Sequence, residues 1–217
     1  MRRRRGFTLI EMAVVVAIIA VLAAAGIGIM RAAQRNANLG SATFEFAQRL
    51  RGLRFTAMRE NQDYVFVFAN AVSADACRFG NDQCARWWIL QAPSTWGITG
   101  FDPSNLSNGG AAYVDTGAMP NGVSLDAGLA FVAPAPFTGV TLADTDLTTT
   151  CASRACFAIR FTGNGQVLPV RVDPTNTTAK GGYAFAFTST LANETRGAEA
   201  RVVLVSFPTG LVKVFTQ

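Results

Sequence analysis

The first thirty residues form one long apolar run behind a short basic segment. Arg2 to Arg5 precede residues 7–30, which contain a single charged residue, Glu11. As an α-helix this run would be about 36 Å long, enough to cross a bilayer. The arginines would then stay on the cytoplasmic side, and the rest of the chain would lie outside the cytoplasm.

Apolar residues recur at three- and four-residue steps beyond this run, which predicts that the helix continues through residues 31–61. No proline interrupts the segment. Glu45 and Arg49 are spaced to form a favourable pair on one helix face. Asn61 precedes strand-like alternation, so we place the end of the helix there. The stripe that we expect to be buried consists of Phe46, Leu50, Leu53 and Ala57.

Residues 62–217 are predicted to form a β-rich globular head. Turn sequences TGNG (162–165) and PTG (208–210) lie between apolar runs and predict two β-hairpins. Residues 93–150 are rich in turn-forming residues, so we expect a long excursion with a few short strands. Pro169 should lie on an edge or a bulge. The expected strands are 64–69, 86–92, 157–161, 166–172, 183–188, 201–207 and 211–215.

The basic character of the chain is local. The net charge is +5, yet residues 60–217 hold nine basic and 12 acidic residues. Residues 31–59 hold six arginines against one acid. Two interpretations of these arginines stay open: a solvated face that also meets lipid headgroups, or a face that pairs with acidic surfaces of neighbouring subunits.

The four cysteines fall in two local pairs, Cys77 with Cys84 and Cys151 with Cys156. In a chain with an export-like N-terminus, an even number of cysteines predicts disulfides. We favour pairing within each local pair, and the other two connectivities stay open. Neither spacing is the C-x-x-C of a zinc or redox site.

Composition argues against an enzyme. The chain has no histidine, which removes Ser-His-Asp and Cys-His nucleophiles. It carries no G-x-S-x-G, Walker or Rossmann sequence. Asp144 and Asp146 lie among threonines, but no complete calcium-binding loop follows them. We therefore expect no catalytic residue, no metal and no cofactor.

Glu11 decides between three explanations of the apolar run. A carboxylate in a single membrane-spanning helix costs about 2.5–3.5 kcal/mol, so neither a simple anchor nor a discarded signal peptide accounts for it. Cleavage between Gly6 and Phe7 would instead give Phe7 a free α-amino group, one helical turn from Glu11. In an array of such helices, the amine of one subunit can meet Glu11 of its neighbour. The pairing would neutralise both charges and fix the register.

The sequence RRRRGFTLIE, followed by the apolar run, resembles the type III signal of type IV pilins and pseudopilins. The resemblance implies that a prepilin peptidase removes residues 1–6 as a cytoplasmic leader and that Phe7 is N-methylated. It implies that Glu11 directs docking of the subunit into a filament. The implied partners are other major and minor pilins or pseudopilins, the prepilin peptidase, an inner-membrane assembly platform, and the membrane before assembly.

Two further stretches resemble the GspH/FimT family. FEFAQRLRGLRFTAMRENQDYVFVF is similar to its passage from helix to first strand, and the C-terminal hairpins, each with a glycine at its turn, are similar to its paired hairpins. The resemblance implies an α+β fold, in which the outer half of a long N-terminal α-helix packs on a β-sandwich head of antiparallel strands.

In function, the resemblance implies a non-catalytic minor pilin that helps to prime or cap a type IV pilus. The alternative is the H-type minor pseudopilin of a type II secretion system. The head would be periplasmic beneath a single inner-membrane span before assembly. Afterwards it would belong to an extracellular pilus or a periplasmic pseudopilus.

Two surface features of the head bear on its partners. Some FimT-like minor pilins bind DNA through basic residues near the C-terminal turn, but here FPTGLVKVFTQ carries one cation, Lys213. DNA affinity rests on several phosphate contacts, which argues against nucleic-acid binding. Trp87 and Trp88 are adjacent, so one should face outward from a strand, as a partly exposed aromatic residue or as a contact for another subunit.

Overall fold

The structure is a computed structural model in which the chain divides into two units, residues 1–37 and residues 38–217. Its described residues are 9–70, 84–98, 101–102, 110–120, 122–125, 141–142, 149–151, 154–170, 181–189 and 200–216.

One helix accounts for all of the α structure among the described residues. Helix α1 comprises Leu9–Glu60, 52 residues. It ends where Asn61 takes a left-handed conformation, with φ of 51°, and the Gln62 N–H donates to the Ala57 carbonyl at 3.2 Å. This bond satisfies a carbonyl that the helix end would leave without a partner, and asparagine tolerates the required φ.

Strands form most of the described head. They are β1 Tyr64–Ala69, β2 Arg86–Gln91, β3 Ala112–Ala118, β4 Val123–Leu125, β5 Thr141–Leu142, β6 Thr149–Cys151, β7 Arg154–Phe161, β8 Val167–Val170, β9 Gly182–Ser189, β10 Ala200–Ser206 and β11 Val212–Thr216. Each of the seven predicted strands coincides with one of them or overlaps it. The four additional strands lie in the 93–150 excursion or at its end; β3 has seven residues, whereas β4, β5 and β6 have two or three each.

The strands form two sheets. Sheet A has the order β3-β2-β1-β7-β6, with β8 also paired to β7, and sheet B has the order β11-β10-β9-β4, with β5 also paired to β9. All of these pairings are antiparallel except that of β5 with β9. A long N-terminal helix followed by antiparallel sheets confirms the predicted α+β, pilin-like architecture.

Phe46 of α1 lies at the centre of the head core. Its ring meets Phe66 and Phe68 of sheet A at centroid distances of 5.4 and 5.7 Å. It meets Phe185 and Phe187 of sheet B at 5.4 and 5.0 Å. All four contacts are edge-to-face, the arrangement that aromatic quadrupoles favour. The other residues of the predicted helix stripe, Leu50, Leu53 and Ala57, are buried in the same core.

A second core lies on the opposite face of sheet A. Strand β1 is buried along its whole length, because its alternate residues Val65 and Val67 belong to this second cluster. Trp88 and Phe101 meet in it at a centroid distance of 5.4 Å. The segment after β2 therefore covers the outer face of sheet A.

Arg160 fixes that covering segment. Its guanidinium is buried and lies 3.2 Å from the Asp63 carboxylate. It also donates to the carbonyls of Pro93 at 2.8 Å and Trp96 at 2.7 Å. A buried cation with one carboxylate and two carbonyls as acceptors has its charge and its donors matched.

The two predicted hairpin turns lie side by side against α1. Gly165 and Gly210 both have positive φ, 84° and 65°, and a Cβ on either would collide, with Met58 and with Val167 respectively. The Val167 N–H donates to the Pro208 carbonyl at 3.0 Å and joins the two turns. These contacts explain why glycine occupies both turns. Pro169 lies on β8, whose described partner is β7 alone, so its predicted edge position is confirmed.

Glu60 and Tyr64 close the corner between α1 and β1. The Tyr64 hydroxyl donates to the Glu60 carboxylate, whose other oxygen accepts from Arg59 at 2.9 Å. The hydrogen bond to Glu60, followed by burial, raises the pKa of Tyr64 to about 12. The hydrogen bonds from Tyr64 and Arg59 lower the pKa of Glu60.

Replacing Phe46 tests the central position of its ring. We expect Phe46→Ala to lower the free energy of unfolding by about 3–5 kcal/mol, because it leaves a cavity bordered by both sheets. Phe44→Ala is the matched control, since Phe44 is 61% exposed on the same helix and should change stability by less than about 0.5 kcal/mol. Denaturant unfolding of the full chain in detergent measures both. Equal losses for the two variants would contradict this core.

The corner bond predicts a pH dependence of stability at alkaline pH. Because the pKa of Tyr64 is raised in the folded state, its contribution is complete below about pH 10, the ordinary tyrosine value. That contribution is lost as the pH rises towards about 12. In an ultraviolet titration of the three tyrosines, Glu60→Gln should bring one tyrosine back to a lower pKa. Tyr64→Phe should remove that transition, and an unchanged titration in both variants would refute the bond.

Candidate processing and docking site

The structure describes part of the predicted N-terminal site. Gly6 and Phe7 lie outside the described residues, and α1 is described from Leu9 onward. Glu11 lies in the first turn of α1 and is exposed. Glu11 is thus an exposed carboxylate within an otherwise apolar stretch of the described helix.

The helix around Glu11 offers a continuous apolar surface. Leu9–Ile27 is long and apolar enough to cross a membrane, and none of this segment is buried within the chain. Leu9 and Ile10, for example, are 88% and 71% exposed. Exposure of so much apolar surface to water is unfavourable. Lipid or other apolar helices are surroundings that suit this segment.

Glycine at position 26 serves no packing need within the described chain. The helix passes through Gly26 without interruption, and a Cβ there would meet nothing within 4 Å. The space beside Gly26 is thus available to another molecule. Such a space permits close approach of a second helix, and a glycine also loosens a helix relative to alanine.

Three arginines on the second half of α1 contact the head of the same chain. Arg49 Nη1 lies 2.5 Å from Asp115 Oδ2, and its guanidinium lies 4.7 Å from the Trp87 ring centroid. Arg51 donates to the Val212 carbonyl at 2.8 Å, and Arg54 donates to the Gly165 carbonyl at 3.1 Å. Neither interpretation drawn from the sequence included these contacts with the head, and the Arg49 side chain also keeps 41% of its surface exposed.

The predicted Glu45–Arg49 pair is present at 3.6 Å. Both side chains are substantially exposed, so the pair contributes little stability by itself. Sequence spacing identified this local pair but not the shorter contact with Asp115. Asp115 lies 66 residues away along the chain, beyond the reach of any helical periodicity.

The cysteines divide between described and undescribed residues. Cys84 and Cys156 are buried, and each is disulfide-bonded. Cys77 and the side chain of Cys151 lie outside the described residues. The pairing of Cys77 with Cys84 and of Cys151 with Cys156 therefore stays a prediction.

Trp87 and Trp88 do point to opposite faces of β2, but neither is exposed. Trp87 belongs to the central core and Trp88 to the second core, where it is 7% exposed. The expectation of an exposed tryptophan is wrong, because the segment containing Phe101 covers the face of β2 on which Trp88 lies. Trp88 is therefore not available as a contact for another subunit.

The metal-binding and DNA-binding residues considered from the sequence form no cluster in the described part of the chain. No group of three or more Cys, Asp or Glu side chains there could hold a metal ion. Asp144 and Asp146 lie outside the described residues. Lys213 lies on β11 and is exposed.

Comparison with known proteins identifies the N-terminal motif. The family model of the prokaryotic N-terminal methylation motif matches residues 1–27. No curated protein matches the chain significantly, and no solved structure does so either. The match covers the basic segment, Glu11 and the apolar helix up to Ile27. With the antiparallel α+β head, this prepilin-type motif supports a type IV pilin-like protein that is membrane-anchored, assembles with other pilins and has a structural role.

Proposed function

We propose that this chain is a minor subunit of a type IV pilus, of the GspH/FimT kind, and that it helps to prime or cap filament assembly. A prepilin peptidase cuts between Gly6 and Phe7, and the new N-terminus is methylated. The chain then waits in the inner membrane with its head in the periplasm. The observation that carries this proposal is Glu11, the one carboxylate in the exposed apolar segment Leu9–Ile27 of α1, which lies within the match to the methylation motif.

Two charges in an apolar array are each unfavourable when they stand alone. A carboxylate costs about 2.5–3.5 kcal/mol at the centre of a lone membrane-spanning helix, and Glu11, near the start of the apolar segment, carries a share of that penalty. The new amine of Phe7 carries a similar penalty. Contact between the amine of one subunit and Glu11 of another removes both penalties when helices pack together. Such a pair also sets the axial position of each helix, as buried polar residues do in coiled coils.

The head supports the assignment to the GspH/FimT kind. Its two C-terminal hairpins carry glycines at their turns, as the resemblance requires, and both turns pack against α1. The H-type minor pseudopilin of a type II secretion system is the alternative, because it uses the same helix and the same processing. A membrane-anchored binding protein that never polymerises is a rival of another class.

Glu11→Gln should separate the filament subunit from the non-polymerising anchor. We expect normal insertion and cleavage, because neither depends on the pairing, but incorporation into filaments reduced on the order of 100-fold, which corresponds to about 3 kcal/mol. Immunoblots of sheared filaments and of membranes measure both fractions. Glu45→Gln on the same helix is the matched control and should assemble normally, since its ion pair is exposed. Normal assembly of Glu11→Gln would refute the filament role.

The mass of the N-terminal peptide tests the processing. In wild type we expect a chain that begins at methylated Phe7. In Gly6→Leu we expect a chain that keeps residues 1–6, because a bulky residue at the cut blocks the peptidase. Recovery of the processed chain in the sheared fraction supports a pilus, whereas recovery in membranes alone supports a pseudopilus. A wild-type chain that still begins at Met1, or is cut after Ala25, would end the pilin assignment.

A further inference from the structure

The two sheets of the head end in edge strands of different kinds. Among the described residues, β3 of sheet A and β11 of sheet B each have a strand neighbour on one side only. The pairing of β3 with β2 skips Val114, an extra residue that breaks the register, and the Thr116 N–H is bonded to the Asp115 carboxylate at 2.8 Å. Such bulges and local caps protect an edge from further pairing. Strand β11 pairs with β10 without irregularity from Val212 to Thr216.

Backbone groups on the free side of β11 can be identified from the hairpin. The Ser206 N–H donates to the Leu211 carbonyl at 3.0 Å, so the backbone groups of Leu211 point towards β10. In an antiparallel pair these directions alternate, so the backbone groups of the next residue, Val212, point away from β10. The bond from Arg51 supports this direction, because its guanidinium donates to the Val212 carbonyl at 2.8 Å from the side away from β10. Counting on by two, the N–H and C=O groups of Val214 and Thr216 point away from β10.

Helix α1 borders this free edge. Arg51 contacts Val212 at one end. At the other end, a Cβ on Gly40 would lie 3.1 Å from the guanidinium of Arg201, the partner of Thr216 across the sheet. Gly40 and Arg51 are about 16 Å apart along the helix and share one face, close to the roughly 14 Å length of β11.

An apolar patch lies between those two ends. Phe44 is one helical turn from Gly40 and is therefore level with Val214, the middle residue of β11. Phe44 is 61% exposed, and Val214 is 38% exposed. The free edge of β11 thus combines outward backbone groups with exposed apolar side chains from the strand and from the neighbouring helix.

Arg201 adds a cation to this edge. Its side chain is half-buried, and its Nε is buried without a hydrogen-bond partner. Within the part of the chain that the structure describes, its guanidinium takes part in no ion pair or hydrogen bond. Arg49 and Arg160, by contrast, each lie against a carboxylate. A half-buried guanidinium without an acceptor is unfavourable, and an incoming carboxylate would relieve it.

We propose that β11 is a docking strand for a neighbouring subunit of the filament. An extended segment of that subunit adds to sheet B at Val214 and Thr216, places apolar side chains on Phe44 and Val214, and directs a carboxylate to Arg201. Main-chain bonds give affinity in this mode of recognition, and side-chain positions give specificity. The inference rests on the proposed function, because its occupant is another subunit of the same assembly.

A photo-crosslinker on the edge tests this proposal in cells that assemble the filament. Benzoylphenylalanine replaces Thr216 in the full chain. In a control it replaces Val114 on the bulged edge strand β3, a residue that is exposed as well. We expect irradiation to link position 216, but not position 114, to another pilin-like subunit. Mass spectrometry should place the link in an extended segment with an aspartate or glutamate within a few residues.

Two changes should abolish the link by different routes. Arg201→Glu repels the carboxylate, and charge reversal of the mapped acidic residue in the partner should restore the link. Val214→Pro removes an outward N–H, which an edge strand tolerates, and should also abolish it. Thermal unfolding of both variants close to wild type shows that the fold is retained. If Arg201→Glu fails to fold, Arg201→Gln with the same readout takes its place.

Other outcomes would overturn the proposal in distinguishable ways. An assembled wild-type filament without a link at position 216, a link to lipid alone, or a link that survives both variants would overturn the docking strand and leave the filament role intact. Absence of the chain from any assembly, with normal processing, would overturn the filament role and the docking strand together.

Discussion

The head depends on the aromatic contact of Phe46 with both sheets. One side chain of α1 meets two rings of β1 and two rings of β9, so the helix, sheet A and sheet B share one core. Phe157 and Phe185 extend that contact directly from sheet to sheet at 4.5 Å. Because the helix supplies the central ring, neither sheet could bury its inner face fully without it. The same helix that carries the membrane segment is therefore part of the head's folding unit.

The helix has two chemically distinct halves. In its first half the large apolar side chains that the structure describes are exposed, a surface that lipid or packed helices suit. In its second half the apolar stripe is buried, and Arg49, Arg51 and Arg54 are bound to the head. Those arginines fix the helix on the sheets by charge-assisted bonds.

Much of the fold is predictable from the sequence because its signals are local. A continuous run of aromatic and β-branched residues marks β1, alternation of large and small residues marks β9, glycine turns mark the two hairpins, and the helix stripe marks the buried face of α1. The burial of Trp88 was not predictable, since its cover comes from a segment without periodicity that Arg160 holds through carbonyls more than sixty residues away. At the candidate site, Glu11 could be identified because a carboxylate in an apolar helix is energetically unfavourable. The partners of the arginines could not be identified, because they lie far away along the chain and no spacing rule connects them.

Burial of β1 on both faces has a consequence for the order of events during synthesis. Its residues lie near the start of the head, yet one side of the strand pairs with β7, and its inner face meets rings from β9. These elements are made about ninety to one hundred and twenty residues later, and contacts of such long sequence separation form slowly. The nascent head therefore has no complete core until its last strands have been synthesised. A ribosome-bound chain that ends before β9 could pair β1 with β2 and β7, but the aromatic inner face of β1 would stay exposed and would need protection until synthesis is complete.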